Sequence, residues 1–178
     1  MRIGIICWGS LFWSPRNLEF INKWFTDGPL LPIEFAGKSR DGRLTLVIYP
    51  KIKVVQTLWT ISSYTNLNKA IKNLQIRENT TKEHIGYINL INDTNRTKYS
   101  DLLPNLITWT QLKELDAIIW TDLPYNIDNL TFETLEEYLI SIRDEETKMR
   151  IKEYIFNTPK QVQTFYRTKL ENLITKIY

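Results

Sequence analysis

Few side chains in this sequence are placed to do chemistry. The most suggestive carboxylate is Glu78. Leu67, Ala70, Ile71, Leu74 and Glu78 recur at helical spacing from about Asn66, which puts Glu78 on the apolar face of an amphipathic helix. Burial disfavours a charged carboxylate, and so does the negative end of a helix. Both effects raise its pKa toward the range useful in general acid/base work. A helix that frays one turn earlier leaves the same carboxylate solvated beside Arg77.

A second feature lies near the N-terminus, where Arg2 to Cys7 reads as a strand and runs into Trp8-Gly9-Ser10-Leu11 and then Pro15-Arg16-Asn17-Leu18. A strand-to-loop-to-helix passage of this kind exposes backbone amides that can form an anion nest. Gly9 removes a Cβ that would block a ligand, and Ser10 adds a hydroxyl. An ordinary tight turn has the same appearance. A phosphate-binding P-loop does not fit, because no lysine follows Gly9 and Gly4 to Cys7 reads as strand.

The single cysteine, Cys7, and the single histidine, His84, could in principle form a nucleophile and base. Cys7 lies in an apolar strand, where cysteine behaves as a small hydrophobe, and His84 opens a short strand, His-Ile-Gly-Tyr. One cysteine excludes an internal disulfide, and no Cys/His set has zinc-ligand spacing, so no metal is expected. Most of the six tryptophans are expected in the core, with one or two lining a pocket.

The elements that must position these groups are legible as β-rich runs over Arg2–Cys7, Leu31–Gly37, Arg43–Tyr49 and Val54–Ile61, with a hairpin across Asp41-Gly42. Ala117 to Trp120 reads as a buried strand. Thr131 caps a helix with the stripe Phe132, Leu135, Leu139 and Ile142, and Pro159 is expected to open a last helix whose stripe runs from Val162 to Ile177. Asn92 to Asn105 is polar and aperiodic, which suggests a surface loop or lid.

With 178 residues, 43% of them hydrophobic and 24% charged, the chain is expected to form one α+β domain spanning residues 1–178. The formal charge of +3 arises in the C-terminal part, where basic residues are interspersed with Asp144, Glu145, Glu146, Glu153 and Glu171. No basic stripe suggests a nucleic-acid partner, and no segment suggests a membrane partner. The apolar start meets Ser14-Pro15-Arg16 rather than a cleavage site, so a cytoplasmic location is expected.

Trp8-Gly9-Ser10-Leu11 at the end of the first strand and Leu74-Gln75-Ile76-Arg77-Glu78-Asn79 at the end of a helix resemble the γ-glutamylcyclotransferase-like superfamily. Its members carry Tyr-Gly-Ser at the first position and Leu-Asp-x-x-Glu-Gly at the second. Gly28-Pro29, Leu31-Pro32, Phe35 and Arg43-Leu44-Thr45-Leu46 are similar to its next strands, and the resemblance covers about residues 1–90. Asp-Gly-Arg-Leu-Thr-Leu-Val points to a bacterial-type branch with an undefined substrate.

This resemblance implies a mixed β-sheet or small barrel with flanking helices. It implies a cofactor-free reaction that releases 5-oxoproline from a γ-glutamyl amine or peptide, with Glu78 as general acid/base. Trp8, Gly9, Ser10 and Leu11 would bind substrate, and Thr164-Phe165-Tyr166 is similar to a C-terminal element that makes Tyr166 a further pocket residue. The expected partner is a small γ-glutamyl substrate, and the oligomeric state is left open. Trp8 lacks the phenol of the usual tyrosine, and Gln75 and Asn79 replace aspartate and glycine. These departures are compatible with a second reading, a non-catalytic module that binds a small carboxylate on the same fold.

Overall fold

In a computed structural model describing residues 1–178, the chain forms nine strands: β1 (Ile3–Cys7), β2 (Leu30–Leu31), β3 (Ile33–Lys38), β4 (Leu44–Ile48), β5 (Val55–Gln56), β6 (Leu58–Ile61), β7 (Ile85–Asn89), β8 (Thr94–Arg96) and β9 (Ala117–Thr121). Five α-helices accompany them: α1 (Leu67–Glu78), α2 (Leu103–Leu112), α3 (Phe132–Ser141), α4 (Glu145–Asn157) and α5 (Arg167–Ile177).

The main sheet has five strands in the order β6-β1-β9-β7-β8. β1 pairs antiparallel with β6 and parallel with β9, so the sheet is mixed. All five residues of β1 are buried, which accounts for its unbroken apolar run in place of alternation. Trp120 of β9 is fully buried, and a Cβ on Gly86 would lie 2.2 Å from its indole. Only glycine lets β7 pass beneath that ring.

The remaining strands form two ribbons, β3 with β4 and β2 with β5. The hairpin expected across Asp41-Gly42 is present as β3 and β4, with a register shift between Glu34 and Gly37. Two runs that read as single strands are each divided. Pro32 separates β2 from β3 because it has no N–H for a ladder. Thr57 separates β5 from β6, and its hydroxyl donates to the Pro29 carbonyl at 2.6 Å.

Asn66 caps α1 through its side chain, and Thr131 caps α3, as expected, in a reciprocal box with Thr134. Two expectations are corrected. Asn92–Asn105 is not a structureless loop: it contains β8, a 3-10 turn at Ser100–Leu102 and the start of α2. Pro104 sits in the first turn of α2, where its missing N–H costs nothing.

The last helix begins at Arg167 rather than near Pro159. Residues before it are held as turns by the buried guanidinium of Arg167, which donates to the carbonyls of Thr158, Pro159 and Val162. Helix α4 was not anticipated. Asp144 caps it, and Thr147, Ile151, Tyr154 and Ile155 form its buried stripe. A cluster of 42 buried hydrophobic residues runs from Ile3 to Ile174 and joins the N-terminal strands to these C-terminal helices. No helix is long and apolar enough to cross a membrane.

Candidate functional site

The end of β1 and the end of α1 meet. Helix α1 persists to Glu78, and Asn79 closes it in the left-handed conformation (φ 48°), with its N–H directed to the carbonyls of Gln75 and Ile76. Asparagine tolerates that conformation better than most residues. The cap leaves Glu78 on the inner side, with its side chain 15% exposed.

Arg77, for which the sequence suggested no role, is the residue that joins the two segments. Its side chain is 5% exposed, and its Nη1 donates to Glu78 Oε1 at 2.6 Å. Its Nη2 donates to Ser10 Oγ at 3.2 Å and to the Ser14 carbonyl at 2.6 Å. One guanidinium therefore spans the carboxylate and the loop. Asn73, one turn earlier, receives the Glu19 N–H and donates to the Asn17 carbonyl, which ties the far side of the loop to the same helix.

Burial pushes the Glu78 carboxyl above its ordinary range, and the positive charges of Arg77, Arg16 and Arg43 pull against that shift without cancelling it. Arg16 adopts a left-handed backbone (φ 52°) just beyond the loop. Arg43 lies over the ring of Tyr154 at 5.1 Å.

The residues of the loop have different roles. Trp8 is buried, and its indole N–H donates to the Leu46 carbonyl at 3.2 Å, so it is a core residue rather than an open wall. Leu11 is also buried in the core. Ser10 is half-buried and faces Arg77. The amides of Gly9, Ser10 and Leu11 donate to no protein acceptor, whereas those of Phe12 and Ser14 bond back to Gly9 and Ser10. An anion nest at this loop would draw on these three amides.

Gly9 has a specific steric role. A Cβ there would lie 2.5 Å from the hydroxyl of Tyr154. The space that its missing side chain frees is therefore used by a phenol of this protein. Tyr154 accepts the Leu46 N–H at 3.4 Å, packs edge-on against Trp13 at 5.2 Å, and donates to no protein acceptor. Burial pushes its phenol up to about 12. Sequence reading missed Tyr154 because it missed α4. The i, i+4, i+7 spacing of Thr147, Ile151 and Tyr154 was the available signal.

Tyr166 lies elsewhere. It stacks on Phe132 at 6.4 Å and meets Phe165 at 4.9 Å, and its N–H donates to Glu34 Oε2 at 3.1 Å. Glu34 is fully buried, and burial raises its carboxyl pKa; it also accepts the Phe35 N–H at 2.8 Å and so fastens the segment before α5 to β3. Cys7 and His84 are not brought together as a pair. The Cys7 thiol is pushed up to about 12 by burial and points at the Gly9 carbonyl. His84 Nδ1 shares a hydrogen bond with the Thr80 hydroxyl at 2.9 Å. No group of His, Cys, Asp and Glu is arranged to hold a metal ion.

No protein-family model, curated protein or solved structure matches the chain. The chemical reading therefore rests on the site itself. It combines a mostly buried carboxylate of raised pKa, a guanidinium holding it against a loop, three unspent amides on that loop, and beside Gly9 the phenol of Tyr154 from α4, whose O–H has no protein acceptor. Such a set can bind an anionic group and move a proton beside it.

Proposed function

We propose that this protein is a cofactor-free cyclotransferase that releases 5-oxoproline from a γ-glutamyl amine or peptide. The observation that carries this reading is the single Arg77 guanidinium shared by Glu78 and Ser10, which joins a mostly buried carboxylate to the loop after β1. The resemblance of the two motifs to the γ-glutamylcyclotransferase-like superfamily supports it.

In this reading the substrate α-carboxylate sits on the amides of Gly9, Ser10 and Leu11. The α-amine then attacks its own γ-carbonyl carbon, the new C–N bond closes a five-membered lactam, and the original amide C–N bond breaks. Two protons leave the α-ammonium and both end on the departing amine, with Glu78 carrying them. The attack is intramolecular, so proximity is supplied by folding the substrate rather than by a second reactant.

The experiment is an assay for 5-oxoproline with γ-glutamyl amines and γ-glutamyl peptides. Wild-type protein is expected to turn over at least one of them, and Glu78→Gln to lose about 10²- to 10⁴-fold in rate. Equal release by both proteins would remove Glu78 from its role.

A second reading, a non-catalytic module for a small carboxylate, is favoured by one observation. Arg77 already neutralises Glu78 at 2.6 Å, and a carboxylate held that way is a weaker base. Ligand-induced thermal stabilisation without turnover of any γ-glutamyl compound supports this reading over the first.

A further inference from the structure

A cavity of about 340 Å³ lies at the opposite end of α1, between its first turn and strands β7 and β8. None of Ser10, Arg77, Glu78 and Tyr154 lines it, so this cavity is distinct from the Glu78 site. Its volume is at the lower end of the range for small-molecule sites. Lys82, Tyr87, Asn89 and Arg96 line one side and Asn68 the other, and no carboxylate is among the lining residues.

Arg96 is held in place by backbone carbonyls. Its Nε and Nη2 donate to the Ile85 carbonyl at 3.2 and 2.8 Å, Nη2 reaches the Lys82 carbonyl at 2.5 Å, and the guanidinium lies over the Tyr87 ring at 5.3 Å. Nη1 has no protein acceptor, and no carboxylate pairs with the side chain. Glu83 is near enough to feel the charge of Arg96, yet no carboxylate forms an ion pair with it, and an arginine immobilised by carbonyls has little entropy left to lose on meeting an anion.

Asn89 is 6% exposed and lines the same cavity. Its Oδ1 accepts the Ile91 N–H at 3.1 Å, which leaves Nδ2 as a donor with no protein partner. Lys82 adds a second positive charge, and α1 has no acidic residue in its first turn to offset the positive end of the helix. The charged and unspent groups are donors, and the carboxamide of Asn68 suits hydroxyl groups.

We propose that this cavity binds a small phosphorylated polyol, with the phosphate on Arg96 and Lys82 and the hydroxyls on the asparagines. Inorganic phosphate alone would fill only part of it. The site is independent of the reaction proposed at Glu78.

The test is a titration of the full chain with glucose 6-phosphate, followed by NMR shifts or calorimetry, with glucose and sodium sulfate at matched ionic strength as comparisons. Saturable binding of glucose 6-phosphate is expected, at least tenfold tighter than sulfate, with no saturation by glucose. Lys82→Glu changes an exposed residue. Asn89→Asp keeps the acceptor for Ile91 and puts a negative charge into the cavity. Each is expected to weaken binding at least tenfold with an unchanged circular dichroism spectrum. Absence of saturation, equal binding of sulfate, or binding unaffected in both variants would overturn the proposal.

Discussion

Arg77 Nη1 lies 2.6 Å from Glu78 Oε1, so two neighbours in sequence form a mostly buried ion pair across the last turn of α1, and the same guanidinium reaches Ser10 and Ser14. Adjacent helical residues do not normally face each other. Here the long arginine side chain turns back under the helix end, where the loop after β1 supplies its remaining acceptors.

Removing this guanidinium should therefore damage stability as well as function. Arg77→Met leaves a buried carboxylate without a partner, and a loss of about 3–5 kcal/mol is expected. Urea denaturation measures it. Combining the change with Glu78→Leu should recover part of the loss, since replacing both charges is far less costly than orphaning one. A loss below about 1 kcal/mol for the single variant would mean that solvent screens the pair as it does a surface pair.

The contact between Gly9 and Tyr154 sets up a second test. Gly9→Ala pushes a methyl group to 2.5 Å from the phenol oxygen, and a destabilisation of about 1–3 kcal/mol is expected. Tyr154→Phe removes that oxygen. The double variant should be more stable than the sum of the two single effects predicts, which a double-mutant cycle reads directly. Additive effects would mean that the clash is relieved by backbone movement instead.

Glu34 and Glu78 both have carboxyl pKa values raised by burial, which fixes the sign of their contribution to pH dependence. Between the ordinary value of 4.5 and the raised native values, the folded chain binds more protons than the unfolded chain. Stability from these two groups is highest below that window and declines as pH rises through it. Glu34→Gln should flatten the decline, whatever its effect on absolute stability, because the amide does not titrate. Chemical denaturation across pH 4 to 8 gives the slopes, and unchanged slopes would count against a raised native pKa for Glu34.

Cys7 should be chemically quiet in the native protein. Its thiol is buried and pushed up to about 12, so almost no thiolate exists near neutrality. Alkylation by iodoacetamide is expected only on unfolding, and Cys7→Ala should keep whatever activity the wild type shows. Rapid native labelling, or activity lost with the sulfur, would return Cys7 to consideration as a nucleophile.

Local patterns were enough to place β1, α1, α3 and the hairpin of β3 and β4, because hydrophobic spacing and capping residues are properties of short segments. Glu78 was legible for the same reason: its position relative to Ile71 and Leu67 depends only on the pitch of one helix. Helix α4 was not, since its stripe is interrupted by charged residues and becomes a core face only against β4 and α5.

The partners of the key groups came from the fold alone. Nothing in the spacing of Arg77 and Ser10 indicates that they touch, because 67 residues separate them and the contact exists only when the end of α1 meets the end of β1. In the same way, the sequence determined that position 9 lacks a side chain. Tertiary packing decided that the phenol of Tyr154, carried in by a helix far along the chain, occupies the space.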